Sequence, residues 1–288
     1  MWYIAAMPFP PAVARALAQA SQPPELLKRL EAMHFQDAGH GYDAFGMHPD
    51  FVALSTAIAG PLYDRYFRVQ SSGHEHIPQY GPAILVANHS GNIPIDGMMM
   101  WLDVVRHTDP PRVPRAVADH FVPSLPFVGT LFARGGMVGG SRGNARALLE
   151  AGELLMIFPE GTPGIVKPWA ERYKLRRFRV GHAEMAIRHG AQVVPCAVVG
   201  AEEQMPQLTT SRRLGKPFGI PEVPIPILPV PLPVRYHLLW GPPIRLDQEH
   251  SPAQADDPTI VREAAIRVQA AVQALVDKGL KQRRGIFR

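Results

Sequence analysis

The segment Ala83–Asp96, AILVANHSGNIPID, decides the reading of this chain. Ala83 to Ala87 form an apolar run without polar alternation, as expected of a strand buried on both faces. Asn92 and Pro94 follow as a helix cap and a first-turn proline. The segment therefore predicts strand, turn and helix, with His89 in the turn and Asp96 in the first helical turn. An imidazole titrates near neutrality, and a carboxylate within hydrogen-bond reach fixes its tautomer and stabilises its protonated form. General-base chemistry on a hydroxyl needs both. The helix dipole alone also favours an acidic residue near a helix start, so the pair has to be weighed against the rest of the chain.

Two further apolar runs supply that weight. Leu154 to Phe158 (LLMIF) reads as a buried strand ending in Pro159-Glu160-Gly161-Thr162, which places a carboxylate, a glycine and a hydroxyl at a strand's C-terminal end. In open α/β sheets that edge is where ligands bind. Gln192 to Gly200 (QVVPCAVVG) is a third strand, after a helical segment Gly181 to His189. Repeated strand-to-helix units predict an α/β fold with a mostly parallel central sheet flanked by helices. Residues 1–70 read as helices with breaks, an N-terminal accessory segment ahead of an α/β domain over residues 71–288. Asn144 to Gly152 reads as a short capped helix and Val234 to Trp240 as a late strand. Ser251 to Leu280 reads as a final amphipathic helix before the basic tail KQRRGIFR, which is either a disordered end or a lipid-headgroup contact.

With these blocks in order, the chain resembles the glycerolipid acyltransferases related to bacterial 1-acylglycerol-3-phosphate acyltransferase, in the lysophospholipid acyltransferase superfamily. The resemblance runs from about Tyr63 to Asp247. It rests on NHSGNIPID with His89 and Asp96, on GTLFARGGMV with Arg134, on FPEGT (Phe158–Thr162) and on VVPCAVVGAEE (Val193–Glu203). It implies a histidine that deprotonates an acceptor hydroxyl, which attacks an acyl thioester directly, and an aspartate that orients the histidine. Arg134 would meet phosphate, and Glu160, Gly161 and Thr162 would shape the acceptor pocket. The co-substrate would be an acyl-CoA or acyl carrier protein thioester, with no metal, no other cofactor and no covalent intermediate. Backbone amides near Ser90 and Gly91 are the natural donors to the thioester oxyanion, because turn and helix-start amides point donors at anionic oxygen.

The chain departs from the family pattern twice. Six residues, Ser90 to Ile95, separate histidine and aspartate where the family usually has four. A bulged turn would keep the dyad together. Pro163 stands where the third block usually continues with an arginine thought to hold the acceptor's phosphate. Lys167, Arg172 and Lys174 are the candidates to replace that charge, and neutral lipid alcohols or amines become alternatives to lysophosphatidic acid.

Composition fits a lipid enzyme. The formal charge of +5 and the sequence pI near 9.5 favour anionic partners. No zinc-finger spacing or RNA-binding signature is present, so nucleic acid is not expected. The single cysteine, Cys196, lies in an apolar run, which excludes an intrachain disulfide framework and points to packing. No run of eighteen apolar residues reads as a membrane span, and the amino end lacks the pattern of a secretory signal. The expected location is cytoplasmic, peripheral on the inner face of the membrane. Three apolar stretches are candidates for burial at an interface: the amino end, Phe51 to Leu62, and Pro217 to Pro233, in which seven of seventeen residues are proline. The last is expected as an extended loop with apolar side chains, roofing an acyl channel, dipping into lipid or packed across its own domain.

Three other patterns in the chain point elsewhere. His34, His40 and His48 with Asp37 and Asp43 match no standard metal-ligand spacing. Gly139-Gly140-Ser141-Arg142-Gly143 matches the G-x-S-x-G pattern of serine esterases, with Ser141 as nucleophile and Asp247 and His250 as the downstream partners. Those two lie too close together to come from separate loops, and the apolar run before Ser141 is too short for a central strand. A non-catalytic lipid-binding relative is the third reading, and keeping His89, Asp96 and Glu160 argues against it, since a binding protein needs no base.

Overall fold

The chain is described from a computed structural model, which covers residues 9–90, 94–118, 122, 127–216 and 222–288. At the centre of its main sheet stands an apolar run, the fourth of seven strands. Strand β2 (Ala83–Ala87) is buried along its whole length. Ile84 and Val86 join the core on one face of the sheet, and Ala83, Leu85 and Ala87 the core on the other. Side chains of a strand alternate between faces, so a strand covered on both sides must be apolar throughout.

Three helices precede the sheet: α1 (Pro11–Ser21), α2 (Pro24–Glu31) and α3 (Pro49–Pro61), the last running into a π-helical turn at Leu62–Tyr66. Then come β1 (Gln70–Ser72), β2, α4 (Ile95–His107), β3 (Arg115–Ala118), α5 (Val128–Arg134), β4 (Val138–Gly139), α6 (Arg142–Glu150) and β5 (Leu154–Ile157). The second half holds α7 (Thr162–Ile165), α8 (Gly181–His189), β6 (Gln192–Val199), α9 (Ala201–Gln204), β7 (Gln207–Ser211), α10 (Arg212–Gly215), β8 (Val223–Pro226), β9 (His237–Trp240), α11 (Leu246–Glu249) and α12 (Pro258–Gln282).

Seven strands form one sheet in the order β1-β9-β6-β2-β5-β3-β4, and β7 with β8 makes a separate antiparallel ribbon. Neighbours β6, β2, β5, β3 and β4 are all parallel, while β9 pairs antiparallel with β6. The fold is the mostly parallel α/β sheet flanked by helices that the sequence predicts. Because β2, β5 and β6 run the same way, the residues that follow them, His89, Glu160 and Glu202, arrive at one edge.

One face of the sheet is covered by α4 and the N-terminal segment. Met47, Val52, Ala59, Tyr63 and Phe67 share a core with Leu85, Met100 and Tyr236. The other face is covered by α6, α8 and α12, where Val261, Ala264, Ala265, Val268, Val272 and Val276 form a helical stripe.

Several expectations need correction. Phe51–Leu62 is not a surface for lipid: α3 buries Phe51, Val52, Leu54 and Ala59 inside the protein. A helix apolar on most sides suits a protein interior and a membrane alike, so composition cannot choose between them. The last helix does not start at Ser251. A 3-10 turn over Pro252–Asp256 comes first, and Asp257 then caps a new helix by accepting from Thr259 and Ile260 amides, with Pro258 at its first position. Pro94 is the N-cap of α4, not a first-turn residue, and the cap expected at Asn92 lies outside the described residues. The basic tail is tied down as far as Ile286, because Arg283 pairs with Glu203 and the Arg235 amide donates to the Ile286 carbonyl. The amino end through Pro8, and part of Pro217–Pro233, lie outside the described residues.

Candidate active site

The turn after β2 is set by Asn88 before it reaches His89. Buried Asn88 donates from Nδ2 to the Val198 carbonyl at 2.9 Å and accepts the Val198 amide on Oδ1 at 2.8 Å, so its side chain continues the pairing of β2 with β6 where the backbone leaves it. Helix α4 brings Asp96 back to this point.

The structure brings His89 and Asp96 together: Nδ1 and Oδ2 are 2.8 Å apart. The carboxylate is wholly buried, whereas the imidazole keeps 21 % of its surface exposed. Asp96 Oδ2 also accepts the Ser90 amide at 2.8 Å, and Oδ1 accepts the Gly97 amide at 2.8 Å. Three donors on its two oxygens fix the orientation of this carboxylate. Since it can only accept, it fixes the Nδ1-protonated tautomer of His89 and leaves the basic lone pair on Nε2. The Phe158 ring stacks on the imidazole with centroids 4.5 Å apart.

Glu160 closes the other side. Buried in the turn after β5, it accepts the His89 amide on Oε1 at 3.1 Å. Its Oε2 accepts the Arg176 amide at 2.7 Å and Lys167 Nζ at 3.3 Å. Lys167, also buried, reaches Glu202 Oε1 at 2.7 Å, and Glu202 Oε2 accepts the Tyr173 amide at 2.9 Å. Burial raises the Glu202 carboxyl above its ordinary value even beside this lysine. Close packing demands two glycines here. Gly161 has φ +59° and a Cβ there would sit 3.1 Å from the Arg179 guanidinium, and a Cβ on Gly164 would come within 2.8 Å of Glu160. Ser90, Lys167, Trp169, Glu202 and Gln207 line a small cavity beside the dyad.

The remaining expected residues fall differently. Gly91 lies outside the described residues. The Ser90 amide faces Asp96, so in this arrangement it orients the dyad and does not point to an oxyanion position. Thr162 begins α7 at the same edge as Glu160. Arg134 does not turn toward the dyad: its guanidinium lies 4.0 Å over the Tyr42 ring and donates to the Gly46 carbonyl at 3.0 Å. Of the three cations considered for Pro163, Lys167 is spent between two carboxylates, Arg172 is stacked on Trp169, and Lys174 is exposed. Sequence reasoning passed over Arg179, whose guanidinium packs against Gly161 and whose amide donates to the Pro159 carbonyl at 3.0 Å.

Ser141 is the N-cap of α6, its Oγ accepting the Asn144 amide at 3.0 Å, and the strand before it is the two-residue β4 at the sheet's end. Asp247 pairs with its neighbour Arg245. Neither arrangement is that of a nucleophile elbow. Asp37 accepts the amides of Gly39, His40 and Gly41, His48 accepts the Asp50 amide at the start of α3, and Asp43 pairs with buried Arg115.

Comparison with known proteins supplies the family and the fold. The acyltransferase family model matches residues 68–199, from β1 to the end of β6. An uncharacterised protein of Mycobacterium tuberculosis is 37 % identical over 263 residues, covering 86 % of this chain and 72 % of that protein. This chain belongs to the acyltransferase family. Its membership places it in the lysophospholipid acyltransferase superfamily. The fold is also that of PlsC, the 1-acyl-sn-glycerophosphate acyltransferase of Thermotoga maritima, with a TM-score of 0.55 at 18 % identity over 91 % of this chain and 89 % of that one. A further family relative, the Bos taurus protein named DGAT1/2-independent enzyme synthesizing storage lipids, is 29 % identical over 209 residues, covering 72 % of this chain and 58 % of that protein. Family and fold together support acyl transfer in glycerolipid metabolism. No helix among the described residues is long and apolar enough to cross a membrane.

Proposed function

We propose that this chain is an O-acyltransferase that moves a fatty acyl group from acyl-CoA or acyl carrier protein to a hydroxyl of a lysophospholipid or other glycerolipid acceptor, working on the inner face of the membrane. The observation that carries the reading is the His89–Asp96 contact at 2.8 Å, at the strand edge of an acyltransferase fold. His89 Nε2 takes the proton as the acceptor oxygen attacks the thioester carbonyl. The new C–O bond forms, the C–S bond breaks, and the imidazolium returns the proton to the departing thiolate. Asp96 holds the imidazole and stabilises its charged form. Glu160 fixes the His89 main chain from the opposite side.

Arg179 takes the place of the cation missing at Pro163. No ion pair ties its guanidinium among the described residues, and it stands over the FPEGT turn, where an anionic group of acceptor or donor would meet it. The test is an acyl-transfer assay on purified protein with both thioester carriers and a panel of acceptors, beside His89→Ala. Histidine-dependent transfer to a lipid hydroxyl supports the reading. Wild-type turnover in the variant removes His89 from the mechanism, and no transfer to any acceptor favours a lipid-binding relative without turnover.

A further inference from the structure

The β7–β8 ribbon stands apart from the main sheet and carries large aliphatic side chains into solvent. Leu208, Ile227 and Val230 are each more than half exposed, and Leu228 is exposed beside them. Leu208 lies in β7 and the other three directly follow β8, at the root of the ribbon, where Gln207 pairs with Pro226 and the Ile227 amide donates to the Pro206 carbonyl at 2.9 Å. The segment beyond is held against the body, with Tyr66 Oη donating to the Pro231 carbonyl at 2.6 Å. Exposed aliphatic surface on a fastened ribbon is not a loop packed across its own domain.

Charge lies beside this surface. Arg212 and Arg213 of α10, with Lys216 just after it, are exposed, and none has an ion-pair partner among the described residues. The one acidic residue of the described ribbon, Glu222, is engaged by the Thr210 hydroxyl. The strand chemistry narrows the occupant. β8 reads VPIP, and its two prolines remove amides that a partner strand would need along that edge of the ribbon. Aliphatic side chains next to unpaired arginine and lysine suit a bilayer with anionic headgroups.

The root of the ribbon is also a wall of the site. Gln207 lines the cavity that holds Ser90, Lys167 and the half-exposed Trp169, and its Nε2 donates to the Ile165 carbonyl at 2.6 Å. Seating the ribbon on lipid would therefore set the cavity beside Ser90 and Lys167 at the membrane surface, where a lipid acceptor resides.

We propose that the β7–β8 ribbon is the surface by which this chain docks on an anionic lipid bilayer. The proposal deepens the acyl-transfer reading by naming the surface that meets lipid, and its test reads vesicle binding, which does not depend on turnover. Wild-type protein is sedimented with vesicles of phosphatidylcholine alone and of an equimolar mixture with phosphatidylglycerol. It is compared with Leu208→Asp/Ile227→Asp, with Arg212→Gln/Arg213→Gln, and with a control, Ile266→Asp, at an exposed aliphatic on α12. Thermal unfolding and turnover on a detergent-dispersed acceptor establish that each variant is folded. The expected result is binding to the anionic vesicles that weakens with salt, falls about tenfold or more in the aliphatic pair and severalfold in the arginine pair, and is unchanged in the control. Equal binding by the folded aliphatic pair overturns the proposal. So does a wild-type protein that ignores both vesicles, including one whose ribbon instead mediates a concentration-dependent dimer. Loss of vesicle binding with turnover kept in detergent supports docking and leaves acyl transfer intact; docking without any turnover supports the ribbon and counts against the proposed enzyme.

Discussion

Helix α4 carries the aspartates of two histidine–aspartate pairs, and only one of the pairs has the makings of a catalytic site. Asp96 and Asp103 lie seven residues apart, about two turns, and both are wholly buried. Asp96 meets His89 at 2.8 Å, and Asp103 meets His107 at 3.1 Å. The difference is in where the histidine comes from. His107 sits on the same helix, stacked on His74, and its aspartate is further claimed by Tyr63, Ser71 and Trp240. Burial alone would push the Asp103 carboxyl up, but the hydrogen bonds of His107, Tyr63 and Trp240 prevail and hold it below its ordinary value. That carboxylate joins α4 to the π-helical turn, β1 and β9. His89 comes instead from the segment after β2 at the C-terminal edge of the sheet, with part of its ring exposed and its neighbour Ser90 lining a cavity. A histidine on a buried aspartate becomes a candidate base when it stands at the ligand-facing edge of the sheet, and part of a clamp when it sits on the aspartate's own helix, away from that edge.

The contrast can be broken experimentally, starting with the largest effect. His89→Ala should lower transfer by about 10³-fold with the unfolding midpoint little changed, within the range general-base removal produces. Asp96→Asn should cost about 10²-fold in kcat, because the amide can present its NH₂ to Nδ1 and favour the wrong tautomer. Asp103→Asn should do the reverse, losing about 2–3 kcal/mol in urea unfolding while turnover per folded molecule stays at wild type. If Asp103→Asn instead slows catalysis as much as Asp96→Asn, the division between the pairs is wrong.

Two smaller effects sharpen it. Arg179→Ala should raise KM for a phosphate-bearing substrate about tenfold with kcat nearly unchanged, and leave a neutral acceptor unaffected. Assaying both acceptors side by side separates a binding cation from a structural one. The clamp should also show in stability against pH. Its hydrogen bond to Asp103 raises the His107 imidazole above its ordinary value, against a smaller effect of burial. The stabilisation is therefore complete below the unfolded value of 6.5 and disappears as pH rises through the higher folded value. Urea titrations across that interval should lose less than about 1 kcal/mol, and His107→Gln should flatten the loss.

Much of the fold was legible because its central strands have no solvent face. Ala83–Ala87, Leu154–Ile157 and Gln192–Val199 stand out as apolar runs, and the chemistry-bearing residues follow them directly. The contacts between those edges were not legible. Glu160 shows in sequence as a pocket residue, yet its bond to the His89 amide spans 71 positions, and Lys167 reaches Glu202 across 35. Such pairs leave no periodicity to read. Arg134 shows the limit of a motif: its place in the chain matches, but Tyr42 and Gly46 from the N-terminal segment capture its side chain. Asn88 was missed because an asparagine at the end of a strand looks like ordinary turn chemistry until its partner on β6 is known.

The two oxygens of Glu160 have a consequence for anyone seeking to alter what this protein accepts. One holds the main chain of His89 and the other the main chain of Arg176, so the loop over residues 163–179 and the base share a single fastening. Exchanging that loop with one from a relative would move the base along with the pocket. Chimeras should therefore be cut so that Glu160, Lys167 and the backbone at Arg176 travel together as one cassette.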